Sequence, residues 1–486
     1  MDGLPPGLDL RLRARAERAA AWVREQHDAG RTITVVHHID ADGVSAGAIA
    51  AETLARAGIP RILQPVKSLD DFHINLVRGL APEALWFGDL GSTAYMQFPD
   101  MPRLVCDHHQ LVRDGSEESF AHVNPLLDGM SGEEISGAGC AYLVAAALDG
   151  RNTDLLPLAL VGACADLQDR RQRRFTGTNA QILAHGRALG LVEERTDLSW
   201  FGTETRALRK FLALASDPDV PGLSRDRAGA ERLLAKCGVE LQGAGRERTW
   251  ADLDEVERRA VRSAVVQRLL DCGLGERTDR LWRQVVNIVR EAPGAPTREL
   301  QEFGTLLNST ARYDRPEVGL AVARGDRGPV YQEALDLLLD HRKHLMVALD
   351  AFGRAGVKEL EAIQWVNLEA AVRDTVVGIV AGMALDGLGL RRDLALVAFA
   401  WTPDGRTKVS ARAPHEIQAR GIDLSVALRE AAASVGGQGG GHKGAAGATI
   451  PRGAELAFIQ ILDSKVAGQL AFEPKAQALE ATTNMP

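Results

Sequence analysis

The sequence predicts an α/β protein. A parallel sheet with helices on both faces is interrupted by a helical module and followed, beyond a long connecting helix, by a second and smaller α/β domain. Three observations predict it. Short apolar runs alternate with helical segments through the N-terminal third of the chain. From about Thr203 to Arg290 the sequence turns charged, Leu- and Arg-rich and helical in character. Val330, Ala334, Leu337, Leu338, Leu345, Leu349 and Phe352 then follow a helical period, opened by Pro329 and closed by Gly353 and Gly356.

Taken in order, Asp9 to about His27 has apolar residues at helical spacing, and Gly30 stops it. The β-branched run from Thr32 to Val36 reads as a buried strand, and Ser45 to about Ala57 as a helix ended by Gly58-Ile59-Pro60. Ile62 to Val66, Ala84 to Phe87 and Leu104 to Cys106 are further strands, and Gly137 to Leu148 is a helix before the apolar run Leu158 to Cys164. Glu299 to Gly325 reads as apolar, strand- and helix-like sequence. After the long helix, Ala362 to Val366, Leu394 to Phe399 and Lys408 to Ala411 are strand candidates. The tail from Pro474 is polar and expected to be mobile. The expected divisions are 1–199, 200–295, 296–328, 329–356, 357–470 and 471–486.

A chain of 486 residues needs no disulfide or metal staple to fold. Its five cysteines are scattered and lie mostly within apolar runs, which fits reduced, buried thiols in a cytoplasmic protein. Neither a signal peptide nor a membrane-spanning run is expected. The net charge of −8 excludes a generally basic surface, so any nucleic-acid partner needs a local groove or bound cations.

The predicted strand ends carry the chemistry. His38, Asp40 and Asp42 are two apart and on a strand would share a face. Asp89 follows the run Leu85-Trp86-Phe87, Asp107-His108-His109 follows Leu104-Val105-Cys106, and Asp166 follows Cys164-Ala165. Parallel sheets bind ligands beyond these ends. Two-cation phosphodiester hydrolysis needs hard oxygen ligands, with a few imidazoles where the metal is Mn²⁺. Asp40, Asp42, Asp89, His108 and Asp166 meet that need. Alternatively, Asp40 and Asp42 cap the following helix.

The ordered set His38-Ile39-Asp40-Ala41-Asp42-Gly43, Gly88-Asp89, Asp107-His108-His109 and Ala165-Asp166 resembles the four motifs of the DHH phosphoesterase superfamily. Within it the chain is similar to the archaeal RecJ-like nucleases, including the GINS-associated type. The segments His122-Val123-Asn124-Pro125, Ser136-Gly137-Ala138-Gly139 and Glu302-Phe303 with Asn308 and Arg312 extend the likeness, with Ala311 where a glycine is usual. Lys408-Val409-Ser410-Ala411-Arg412 and Gly439-Gly440-Gly441-His442-Lys443 resemble the C-terminal DHHA1 domain. The resemblance implies two Mn²⁺ or Mg²⁺ ions on Asp40, Asp42, Asp89, His108 and Asp166, with His38 as an added ligand or as a group positioning Asp40. It implies Asp107 orienting a histidine and His109 touching substrate. Asn308, Arg312, Ser410, Arg412 and Gly439, Gly440, Gly441, His442 and Lys443 would bind substrate across a cleft. The implied activity is exonucleolytic release of nucleoside monophosphates from single-stranded DNA or RNA, in replication or repair. Implied rivals are a phosphodiesterase for oligonucleotides or cyclic dinucleotides and a scaffold bound to the GINS complex and replicative helicase.

Overall fold

Short runs buried along almost their whole length build the centre of the first sheet. The computed structural model describes residues 3–112, 115–116 and 119–471, apart from the side chain of Asp386. The chain divides after Leu338 into two units. In the first, helix α1 (Leu10–Asp28) starts on an Asp9 cap and leads to β1 (Ile33–His38), α2 (Ala41–Arg56), β2 (Arg61–Val66) and α3 (Asp71–Gly79). β3 (Ala84–Gly88), β4 (Arg103–Cys106), β5 (Ala121–Val123), α4 (Gly137–Leu148), α5 (Leu156–Ala165) and α6 (Gly177–Ala188) follow. The five strands are all parallel, in the order β2-β1-β3-β4-β5. The winding therefore reverses at β1, and the crevice beyond the ends of β1 and β3 is where such a sheet takes its ligand.

Alternate residues serve opposite faces. Val35, Trp86 and Leu104 join the core with α1, α2, α4 and α5, whereas Val36, Phe87 and Val105 meet Ile74 and Val77 of α3. The apolar run before Asp166 is a helix, α5, buried along its length up to Cys164. Such a run is ambiguous between strand and helix by periodicity alone.

Next, β6 (Val192–Leu198) opens the helical module of α7 (Leu208–Ala213), α8 (Arg227–Lys236), the short pair β7 (Gln242–Gly243) and β8 (Arg246–Glu247), and α9 (Glu255–Asp271). β9 (Trp282–Ile288) closes it by pairing antiparallel with β6. Phe211, Trp250, Val265 and Leu269 give the module its own core. The stretch from Glu299 holds no strand: it is α10 (Leu300–Arg312) and α11 (Pro316–Ala323), whose Leu306, Leu307 and Val322 return to the first core. Helix α12 (Pro329–Ala355) then carries the chain past Leu338.

The second unit holds β10 (Lys358–Glu359), β11 (Ile363–Asn367), α13 (Val377–Gly387), β12 (Ala395–Trp401), β13 (Arg406–Arg412), α14 (His415–Gln418), α15 (Leu424–Ser434), β14 (Gln438–Gly441), β15 (Ala445–Pro451) and α16 (Glu455–Ala471). Its sheet runs β10-β11-β12-β13-β15-β14, and only β11 and β12 pair in parallel. Helices α15 and α16 cover one face and α13 the other. The tail expected to be mobile lies outside the described residues from position 472, and Ala471 still belongs to α16.

Cys106, Cys140 and Cys164 are buried, but Cys272, just past α9, is exposed. Among the described residues no helix is long and apolar enough to cross a membrane.

Candidate metal centre

His38, Asp40 and Asp42 do not share a strand face. β1 ends at His38, and α2 begins at Ala41. Asp40 is the helix cap, its Oδ1 accepting from Gly43 N at 3.0 Å, and Asp42 lies in the first turn. Capping and ligation are thus not alternatives, since capping occupies one carboxylate oxygen and leaves the other. The neighbouring amide of Ala41 donates to Asn308 Oδ1 at 3.1 Å, so the Asn308 carbonyl braces the start of α2.

Three groups of donor atoms form among the described residues, each with its members within 4.8 Å of one another: His38, Asp40 and Asp89; Asp42, Asp89, His108 and Asp166; and Asp89, His108 and His109. Asp89 belongs to all three, and His108 to two. His38 Nδ1 lies 2.8 Å from Asp40 Oδ2 and 3.5 Å from Asp89 Oδ2. His108 Nε2 lies 3.1 Å from Asp166 Oδ2, 3.4 Å from Asp89 Oδ1 and 3.8 Å from Asp42 Oδ2. Asp89 holds a left-handed backbone at φ +61°, unusual for a side chain other than glycine. Asp166 caps the C-terminus of α5.

The surroundings orient these groups. Asp42 is fully buried at the N-terminus of α4, accepting from Gly137 N at 2.7 Å and Ala138 N at 3.0 Å. Close approach requires glycine here: a Cβ on Gly162 would sit 2.0 Å from Asp42 Oδ1, and one on Gly137 would sit 2.5 Å from Asp89 Cα. His108 Nδ1 lies 2.8 Å from the Gly132 carbonyl, which leaves Nε2 to face the carboxylates. Asp107 is occupied as a positioning group. Its Oδ1 accepts from His108 N, His109 N and His109 Nδ1 at 2.8, 3.2 and 2.8 Å, and its Oδ2 from Ser92 N at 3.0 Å. His109 is half exposed. Asn124 holds the His109 carbonyl at 3.0 Å and the Ser92 hydroxyl at 2.9 Å.

Burial, with the nearby charges of Asp89 and Asp166, pushes Asp42 well above the usual carboxylate range, and burial likewise raises Asp166. Burial works the same way on Asp89, but the contacts from His108 and His38 hold it low. For His38 and His108 the desolvation penalty is outweighed by their carboxylate partners, so both are raised. Both oxygens of Asp89 and Nε2 of His108 are buried without a well-directed hydrogen bond. A group of hard donors left unsatisfied around one crowded negative charge fits divalent cations. Sequence reasoning passed over Gln168, which donates to the Gly132 carbonyl at 3.0 Å, because a lone glutamine carries no spacing signal.

In the second unit, Lys408, Ser410 and Arg412 alternate along β13 on the face opposite Val409 and Ala411. Arg412 donates to Ser410 Oγ at 3.1 Å and to the Gly378 carbonyl at 2.9 Å. Burial lowers Arg412, and it lowers Lys408 against the pull of Asp374. Lys408 was legible only as part of a motif. Gly439, Gly440 and Gly441 lie in edge strand β14, paired with Ala448, Gly447 and Ala446. Ser410, Gly447 and Gly440 consequently lie in one row, a floor almost without side chains. Only His442, Lys443 and Gly444 form the turn, with His442 and Lys443 exposed. Arg312 is placed in the first unit, on α10, where burial lowers it and Asp40 opposes that.

Residues 200–282 match the DHH-CID domain and 362–468 the DHHA1 domain. An uncharacterized protein of Methanocaldococcus jannaschii is 24% identical over 464 residues, covering 90% of this chain and 94% of the relative. RecJ from Thermus thermophilus, solved with Mn²⁺, superposes at a TM-score of 0.58 with 19% identity over 96% of this chain, which spans 56% of that RecJ. CDC45 from Entamoeba histolytica superposes at 0.64 with 10% identity, covering 94% of this chain and 99% of CDC45. An exonuclease RecJ bound to manganese superposes at 0.54 with 19% identity, covering 93% and 94% of the two chains. Residues 200–282 and 362–468 are thus similar to the DHH-CID and DHHA1 domains, and the chain shares the fold of RecJ and CDC45.

Proposed function

We propose that this protein is a metal-dependent exonuclease that hydrolyses the phosphodiester bonds of single-stranded DNA or RNA to nucleoside monophosphates, in DNA replication or repair. The observation that carries the reading is the overlap of the donor groups at Asp89. His38, Asp40 and Asp89 would hold one Mn²⁺ or Mg²⁺, and Asp42, Asp89, His108 and Asp166 the other. When bound, such ions offset charge on the phosphate oxygens and lower the pKa of water. Asp107 would set the ring of His109, which is open to solvent and could donate to a phosphate oxygen. Arg312 in the first unit would bind a phosphate, and in the second unit Ser410, Arg412, His442, Lys443 and the floor of Gly439 to Gly441 would do the same. In this reading 1–199 and 296–328 form the catalytic part, 200–295 the insertion and 357–470 the substrate-binding domain.

The likeness to CDC45 favours a second reading, a component of a replication assembly that contacts the GINS complex and helicase. The retained donor set supports the enzyme, and both roles can coexist. End-labelled single-stranded DNA and RNA incubated with the protein and Mn²⁺ should be shortened progressively, and Asp166→Ala should stop it. Intact substrate with the wild type, or full activity of Asp166→Ala, rejects the nuclease. GINS binding that survives Asp166→Ala would establish a docking role independent of catalysis.

A further inference from the structure

At the carboxyl end of β2, on the edge of the sheet that carries the donor groups, lies an open pocket of about 310 Å³. That places it at the small end of ligand pockets. Its walls include Ile39, Val66, Phe72, Leu76 and Pro316. Ile39 stands between His38 and Asp40, and Val66 is the register partner of His38, so the pocket adjoins the first donor group. Phe72 is 72% exposed and the one exposed phenylalanine among the described residues, and Leu76 beside it is 39% exposed. The Phe72 ring meets the His73 ring edge-on, with 5.2 Å between centroids, and its remaining surface faces solvent. The polar groups at the rim are partnered: Lys67 Nζ lies 2.6 Å from Asp314 Oδ1, and His73 Nδ1 2.7 Å from Asp70 Oδ1. With Lys67 matched by Asp314 and the His73 ring hydrogen-bonded to Asp70, the pocket suits a flat, uncharged ring better than a phosphate.

We infer that this pocket takes the base of a nucleotide next to the phosphate under attack, stacked on Phe72 with Lys67 and Asp314 at its edge. The inference rests on the nuclease reading. Every base has an aromatic face, and the Lys67–Asp314 pair offers both a donor and an acceptor, so the pocket should accept all bases. It would register the strand by its base while the donor groups act on its backbone.

The test compares the wild type, Phe72→Ala and Phe72→Trp on single-stranded DNA with Mn²⁺. A hydrolysis-resistant phosphorothioate strand gives affinity without turnover. Phe72→Ala should weaken affinity and raise KM roughly 5- to 100-fold with kcat little changed. Phe72→Trp should keep wild-type affinity. A single abasic residue moved along the strand should erase the difference between wild type and Phe72→Ala at one position only. Wild-type affinity and KM in Phe72→Ala, or an equal loss at every abasic position, overturns the pocket and leaves the nuclease standing. A wild type that neither binds nor cuts single-stranded nucleic acid overturns both. Equal thermal melting of the variants would exclude misfolding as the cause.

Discussion

On the two-cation reading proposed above, Asp89→Asn should abolish both sites at once, whereas Asp40→Asn and Asp166→Asn should each remove one, because Asp89 is shared by the group of His38 and Asp40 and by the group of Asp42, His108 and Asp166. Asparagine keeps the shape of the side chain and deletes its charge, so the prediction concerns ligation rather than packing. Linkage sets the size: a ligand at a hundredfold excess over its Kd stabilises the folded chain by about 2.7 kcal/mol per site, or about 5.4 kcal/mol for two. The first unit runs to residue 338. At about 2.1 cal/mol/K per residue its unfolding entropy is about 0.7 kcal/mol/K, so two filled sites should raise Tm by about 8 °C and one by about 4 °C. Thermal melts with EDTA or Mn²⁺, together with a count of bound Mn²⁺ by electron paramagnetic resonance, read this out. The wild type should show the full rise, Asp40→Asn and Asp166→Asn about half, and Asp89→Asn almost none. A half-sized rise in Asp89→Asn, or complete loss in Asp40→Asn, would refute a shared Asp89.

Three further outcomes follow from the same geometry. Gly162→Ala gains helix propensity yet drives a methyl group into Asp42 Oδ1 and the Ala138 side chain. It should therefore lose about 1–3 kcal/mol of stability in urea melts and bind fewer Mn²⁺ ions. Asp107→Asn removes an acceptor from the set that fixes His108 and His109, and should lower turnover roughly 10- to 100-fold while leaving bound Mn²⁺ at the wild-type count. Glu302, buried and accepting from Glu204 N and the Thr205 hydroxyl, is pushed up to about 7 by burial and by Glu299. The folded chain then keeps a proton that the unfolded chain has released, so stability falls as pH rises from about 4.5 to about 7. Glu302→Gln should remove that slope and exceed the wild type by up to about 3 kcal/mol in urea melts at pH 8.

The strands and the acidic strand ends were legible because they rest on local pattern: β1, β3 and β4 alternate or run apolar, and Asp89 and Asp107 follow them directly. Elements set by tertiary pairing were not. β5 has three residues, and β14 is glycine with one glutamine, a composition that argues against a strand until β15 pairs with it. The β6–β9 ladder brackets the helical module, yet its residues lie far apart in sequence. α3 is short and buries only Ile74 and Val77, too few to mark a face.

The donor set itself shows why such a centre is half visible. Asp40 and Asp89 announce themselves by following strands and Asp166 by ending an apolar run, but four carboxylates and two imidazoles can converge only if the backbones carrying them come close. That closeness is made by Gly43, Gly137 and Gly162, whose added Cβ atoms would strike His38, Asp89 and Asp42 respectively. In sequence, Ser136-Gly137-Ala138-Gly139 reads as a helix start, and it is one, with Ser136 as the cap. The same start supplies the two amides that receive Asp42. Asp40 repeats the pattern, capping α2 with one oxygen and facing His38 with the other. A helix terminus concentrates unpaired donors where an anion is wanted, so the features that end local structure also gather charge. The capping reading and the ligand reading of these aspartates therefore describe one arrangement, and a substitution that spares the cap while deleting the second oxygen would separate them.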